Sequence, residues 1–370
     1  MSFDVALDLA NQASAASPGW AREKTGGYRV KTWLIVGFVA ASVLSGSLTA
    51  AAEEFIPLRA DRGPARRPAG QWSVKTPEPP EVRQHIDRAQ AAAGRQWANV
   101  ADYFCRRDGI PDAPDDPVIT PMKIFDDVYI VGNGSNVVYI LKTSAGLVLI
   151  DNYYPQGRDT VLLPGLKALG FEPADVKYIF ITHGHTDHFG SAGWFQQKYG
   201  TRVVESEADW KLIESTPSPL PPGDNPAPRR DLIARDGTPI VIGGVAVTPV
   251  AIPGHTPGSM GYIFPVMDKG RAHMAANFGS SVLLVQSPSK SELQAHIDSV
   301  AHFAEATRAA GVDVELQNHP IYDDMWAKVS GIGTRQQNGG VNPLVVGKDS
   351  YQTFMLVMSE CLKAEMARRD

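Results

Sequence analysis

"VKYIFITHGHTDHFGSAGWFQQKYG", residues 176–200, decides the fold. It opens on an apolar, β-branched and aromatic run (176–182) that reads as a buried strand. It closes on "SAGWFQQKYG", a helix with Gly200 as its stop. Between them His183, His185, Asp187 and His188 crowd three imidazoles and a carboxylate into six positions. Packing does not require such a cluster. On an extended strand, residues two apart project to one side, so His183 and His185 can reach one ion together. Asp187 and His188 lie past the bend and can face a second.

Imidazole and carboxylate suit Zn²⁺. An ion needs further ligands from elsewhere in the chain, and two are available. His255 sits in "IPGHTPGS", a turn built from glycine and proline. His319 sits in "LQNHP", at the end of the last predicted strand. The expected sets are His183, His185 and His255 for one ion, and Asp187, His188 and His319 for the other. Asp187 and His319 of the second set double as the candidate catalytic side chains. Each ion keeps an open position, the mark of a catalytic site. Between two ions about 3.5–4 Å apart, water ionises readily; one zinc alone lowers its pKa from about 15.7 to roughly 7. Solitary histidines are read as surface or satisfied core residues: His85, His273, His296 and His302.

Outward from the cluster, strands and helices come in two successive sets. "DDVYIVG" (126–132), "NVVYILKT" (136–143) and "GLVLIDN" (146–152) are strands, and "RDTVLLPGLKALG" (158–170) is a helix. "TRVVES" (201–206) is a further strand; residues 215–230, rich in proline, are a surface loop. In the second half "PIVIGGVAVTPVAIPG", "GYIFPV", "RAHMAANF" and "VDVELQNHP" are strands. A helix over 287–311 carries Ser289 and Glu292 as a capping box, with Gly311 at its end. The tail from Asp349 places Tyr351, Phe354, Met355, Met358, Cys361 and Leu362 at helical spacing, a packing face. Two sheets packed together, with helices on the outer faces, accommodate this α/β pattern.

Upstream the chain changes character. "RVKTWLIVGFVAASVLSGSLTAAAEEF" (29–55) has a basic flank, an apolar core from Trp33 to Leu44, and small residues before Glu53. Those are the parts of a secretory signal peptide, at about residues 30–52. Its internal position predicts translation from Val30, leaving residues 1–29 unmade. A membrane anchor is the competing reading; the short core, rich in Gly, Ser and Ala at its end, favours export and cleavage, with no stable membrane insertion and a periplasmic or secreted product. Residues 53–117 form an extension: a Pro/Arg-rich arm to about Pro80, then one helix over 80–104, serving as lid, interface or tether. The catalytic domain follows over 118–370. Export permits Cys105 and Cys361 to pair, though two buried thiols fit as well. A net charge of −5 over 370 residues, 43% of them hydrophobic and 20% charged, gives no reason to expect nucleic acid as a partner and leaves a small-molecule substrate.

"THGHTDH" followed by "GHTPGS" resembles the metallo-β-lactamase superfamily over roughly residues 118–370. The opening "MKIFDDVYIVGNGSNVVYILKTSAGLVLIDNYYP", a histidine in the second ligand set and the closing "NPLVVGKDSYQTFMLVMSECL" resemble the third subclass of class B β-lactamases. The resemblance implies an αββα sandwich, with the added N-terminal extension, and two zinc ions at one edge of the sheets. It implies β-lactam opening by attack of zinc-bound hydroxide on the amide carbonyl. A lactone, an aryl ester or a halogenated aromatic is the alternative substrate, and a non-catalytic metal-binding module the alternative class. Many superfamily hydrolases carry a metal-bridging aspartate where this chain has Asn277. That departure argues against glyoxalase-like, tRNA-processing and oxygen-reducing relatives. Asn277 is expected either to contact substrate or metal, or only to close its strand. Ser280 and Ser281 lie near the same strand end, without an assigned role.

Overall fold

The computed structural model of the chain describes residues 78–105, 118–216, 225–280, 289–320, 322–323, 325–338 and 340–369. The expected signal segment, most of the Pro/Arg-rich arm and Ser281 lie outside the described residues. Two sheets carry the fold. The first orders β1 (Met122–Lys123), β2 (Val128–Gly132), β3 (Val137–Thr143), β4 (Gly146–Ile150), β5 (Val176–Phe180), β6 (Arg202–Glu205) and β7 (Leu232–Ile233) side by side. Pairing is antiparallel through β4 and parallel from β4 to β7. The second holds β8 (Ile240–Ile242), β9 (Val245–Ala251), β10 (Met260–Asp268), β11 (Arg271–Asn277) and β12 (Val314–Leu316), with only the β11–β12 pair parallel.

Alternation along the strands sets the layers. Tyr139, Leu141, Val148 and Phe180 turn inward to meet Tyr262, Phe264 and Val314 of the second sheet. Val138, Ile140, Leu149 and Ile179 turn outward, under Leu166, Phe195 and Trp210. Beyond the exposed Lys177, β5 is buried on both faces towards its end, which is why 179–181 is apolar without a break. The outer helices of the first sheet are α3 (Leu163–Ala168), α4 (Thr186–Phe189), α5 (Ala192–Tyr199) and α6 (Glu207–Ser215); those after the second are α7 (Lys290–Ala310), α8 (Met325–Asn338) and α9 (Lys348–Ala367). The layer order is the expected αββα sandwich. The capping box of α7 forms as read, Ser289 accepting from the Glu292 amide and Glu292 from the Ser289 amide, and Gly311 ends the helix with φ 69°. All six apolar residues of the tail's predicted face are buried. Of the 215–230 loop, residues 217–224 lie outside the described residues, and α6 runs into its first position.

The extension departs from expectation. In place of one helix over 80–104 there are two, α1 (Pro80–Ala93) and α2 (Ala98–Phe104), broken at Gly94 (φ 52°, ψ −140°). The break turns Trp97 into the core, its ring 5.1 Å from Phe354 and its indole N–H donating to the Ser350 carbonyl at 3.0 Å. His85 and Arg88 both bond Glu360 (2.8 and 2.7 Å). Cys105 and Cys361 form a disulfide across a sequence separation of 256. Residues 78–105 are thus a packed part of the helical layer over α9. Tyr103 and Phe104, beside that disulfide, both lie against Tyr322 (5.8 and 5.4 Å).

The remaining solitary histidines are accounted for. His273 bonds Asp313 at 2.7 Å, His302 bonds Asp236 at 3.1 Å, and His296 is buried beside Phe278. No helix among the described residues is long and apolar enough to cross a membrane.

Candidate metal centre

Strand β5 stops at Phe180, and the chain turns through 181–185 into the single turn of α4. Ligands from both sheets converge at this edge. Among the described residues, two groups of three have ligand atoms mutually within 4.8 Å: His183, His185 and His255, and His183, Asp187 and His188. The ring of His255 lies 4.4 Å from His183 and 4.7 Å from His185. His319 belongs to neither triplet; its ring lies 5.0 Å from His188. The structure therefore brings all six predicted side chains to one edge, with His319 outside both triplets. Asn277 closes β11, fully buried, its amide nitrogen 3.4 Å from the Leu316 carbonyl and its Oδ1 without a hydrogen-bond partner. It is in neither group.

Hydrogen bonds at the far side of each ring fix which nitrogen faces inward. Nδ1 of His183 bonds the Gly279 carbonyl (2.9 Å), Nδ1 of His188 bonds Asp151 (2.7 Å), and Nδ1 of His319 bonds the Ser135 carbonyl (2.8 Å). Each carbonyl or carboxylate holds a proton on Nδ1 and leaves Nε2 as the lone-pair donor. Nε2 of His188 is buried without a hydrogen-bond partner, 3.0 Å from Asp187. Nδ1 of His185 stands 3.0 Å from Nε2 of His255. Crowded imidazole nitrogens beside a carboxylate are a donor set that fits a divalent cation.

Protonation agrees with that fit at four of the five imidazoles; His188 is protonated on both nitrogens in the metal-free centre, so an ion there would take the place of its Nε2 proton. Burial, with like charge from neighbouring rings, holds His183 and His255 well below the usual imidazole range, and burial lowers His185 too. His319 is depressed to about 4 by burial and by His188. These four are neutral at pH 7, with lone pairs available. Burial opposes the charge on His188, yet the carboxylates of Asp187 and Asp151 outweigh it and push the group up to about 10. Burial likewise opposes ionisation of Asp187, but the His188 charge wins and holds it well below the carboxylate range.

Sequence reasoning missed the groups behind the ligands. Asp151 accepts from the Thr182 amide (2.8 Å) and hydroxyl (3.0 Å) as well as from His188. It does so from φ 63°, and Tyr153 two residues on has φ 64°; such conformations cost on the order of 1–3 kcal/mol each and persist when the surroundings over-determine them. Asn136 donates to Asp187 (2.9 Å) and accepts from the Tyr154 hydroxyl (2.6 Å). Ser280 is buried and accepts from the His255 amide at 3.2 Å. The only local signal was Asp151 itself, a carboxylate ending an apolar strand.

Residues 131–267 match the metallo-beta-lactamase superfamily. The chain is 32% identical over 126 residues to an N-acyl homoserine lactonase, AttM, of Agrobacterium fabrum, covering 31% of this chain and 46% of that relative. It is 35% identical over 95 residues to a hydroxyacylglutathione hydrolase, GloC, of Haemophilus influenzae, covering 24% and 44%. The chain spans about half the length of the curated relatives it matches. Among solved structures, BJP-1, a subclass B3 metallo-beta-lactamase of Bradyrhizobium japonicum, superposes with a TM-score of 0.54 at 28% identity, covering 66% of this chain and 92% of that one. Over residues 131–267 this chain is similar to the metallo-beta-lactamase superfamily, and its fold resembles that of a subclass B3 enzyme.

Proposed function

We propose that the protein is an exported hydrolase with two zinc ions, opening the amide of a β-lactam ring. The observation that carries the metal reading is the pair of ligand triplets sharing His183, with four neutral imidazoles and the ionised Asp187 around them. His183, His185 and His255 would hold one ion; Asp187, His188 and His319 would hold the other. When bound, zinc supplies Lewis acidity: it makes hydroxide available at neutral pH and offsets negative charge developing on a carbonyl oxygen. The chain's own residues do the positioning. Asp151, Gly279 and Ser135 orient the imidazoles, and Asn136 and Tyr154 aim the Asp187 carboxylate. Residues 118–370 would form the catalytic domain, with 53–117 as the added extension. The Cys105–Cys361 disulfide supports an oxidising destination, periplasmic or secreted.

The extent of likeness to BJP-1, nearly that whole chain, favours a β-lactam over other carbonyl substrates. The AttM similarity favours a second reading, a lactone, whose ring opening asks the same of the ligands. A purified, zinc-loaded chain tested against a chromogenic cephalosporin and a panel of lactones and aryl esters separates them. The β-lactam reading expects cephalosporin turnover that disappears with a chelator and in His185→Ala. Lactone turnover without cephalosporin turnover would replace it with the second reading.

A further inference from the structure

Helix α6 takes no part in the ligand set, yet its first turn is pressed against both ligand-bearing loops. Ser206 caps the helix, its hydroxyl accepting from the Asp209 amide at 3.1 Å. The Asp209 side chain, fully buried, then reaches in two directions. Its Oδ2 accepts from the Gly184 amide at 2.7 Å and from the Thr256 hydroxyl, and its Oδ1 accepts from the Gly258 amide at 2.8 Å. Gly184 lies between His183 and His185. Thr256 follows His255, and Gly258 is in the same turn. One carboxylate therefore joins two loops that come from different sheets. The fit is close: a Cβ at Gly258 would stand 2.1 Å from the Ser206 hydroxyl and 2.5 Å from the Asp209 amide, and one at Gly184 would stand 3.0 Å from Leu212.

We propose that Asp209 is a positioning residue for the three-histidine ion, fixing the His183–His185 pair at its distance from His255. The inference rests on the metal reading given above. Asp209 touches neither ion nor substrate; it acts through the backbone of Gly184 and Gly258 and the hydroxyl of Thr256. An amide cannot replace it. In Asp209→Asn one oxygen becomes NH₂, which must face either the Gly258 N–H or the Gly184 N–H, donor against donor.

The test uses the full chain stripped of metal, then titrated with zinc against a chromophoric chelator. Losing an outer partner of this kind weakens metal affinity about 10–100-fold, and that loss is expected in Asp209→Asn for the ion bound by His183, His185 and His255. Thr256→Val deletes one bond of the three and gives a smaller loss in the same direction. In the metal-free chain, hydrogen exchange at the Gly184 and Gly258 amides rises in Asp209→Asn, a readout independent of zinc. Ser206→Ala removes the helix cap and serves as the structural control; it lowers melting temperature and leaves zinc affinity unchanged. Wild-type affinity in Asp209→Asn, or an equal loss in Ser206→Ala, would overturn the inference. A wild-type chain that takes up no zinc would overturn the metal reading beneath it.

Discussion

Replacing both Cys105 and Cys361 by serine asks whether the extension belongs to the catalytic body. The disulfide closes a loop of 256 positions. In the chain-entropy treatment, loop closure removes about 2.1 + 1.5R ln n cal/mol/K from the unfolded state; for this length that is about 5.5 kcal/mol at 25 °C, an upper bound. For a domain this size each kcal/mol shifts the melting temperature by about 2 °C, so the double variant should melt roughly 10 °C lower. The effect should also reach the site. Cys105 follows Tyr103 and Phe104, both of which pack on Tyr322, and the Tyr322 ring meets His319 edge-on at 5.6 Å. Loosening that stack should weaken binding of the zinc proposed for Asp187, His188 and His319 and spare the one proposed for the three histidines. Scanning calorimetry and a zinc titration read the two effects; alkylation of the unfolded wild-type chain should find no free thiol. A variant melting within about 2 °C of wild type, with both zinc affinities intact, would refute the coupling of extension to site.

Two further outcomes follow from buried groups. Asp151→Asn keeps the side chain's shape but removes the charge holding His188, so the Asp187–His188–His319 ion should bind about 10–100-fold more weakly; unchanged affinity in a metal titration would show that Asp151 only braces the Thr182 turn. His296 is held neutral by burial, its pKa lowered to about 4 from an ordinary 6.5. Because the folded value lies below the unfolded one, its contribution is intact above pH 6.5 and is lost as pH falls towards 4, about 2 kcal/mol by pH 5. His296→Phe should flatten that limb of a stability–pH curve measured by urea unfolding, and an unaltered limb would assign the acid sensitivity elsewhere.

The sequence announced its central segment because periodicity and chemistry coincide there. A mostly apolar strand, a ligand cluster and a helix with a glycine stop occupy 25 consecutive positions. His255 and His319 were legible for a related reason: each sits where a strand hands over to a turn. Long-range partnerships were not legible. Nothing local says that Asp151 meets His188, 37 positions away, or that Asp209 meets Gly258, 49 positions away. Asp209 did leave a trace, since Ser206 three residues before it is a helix-cap spacing, but a cap does not reveal where the carboxylate points. The break at Gly94 was hidden by good helix formers on both sides; it is set by Trp97 packing on α9, a tertiary demand overriding propensity. Helix α8 was missed because Gly331 and Gly333 interrupt it; it is held by Met325, Val329 and Ile332 in the core and by Lys328 bonding Glu315 and Asp323.

Metal content measured by native mass spectrometry on wild type and on two single variants tests the whole account most directly. Two zinc ions per chain are expected in wild type. His255→Ala should lose the ion of the three-histidine set and Asp187→Ala the other, each variant retaining one. A folded wild-type chain saturated with zinc yet carrying none, or only one ion that survives both substitutions, would contradict the two-ion centre.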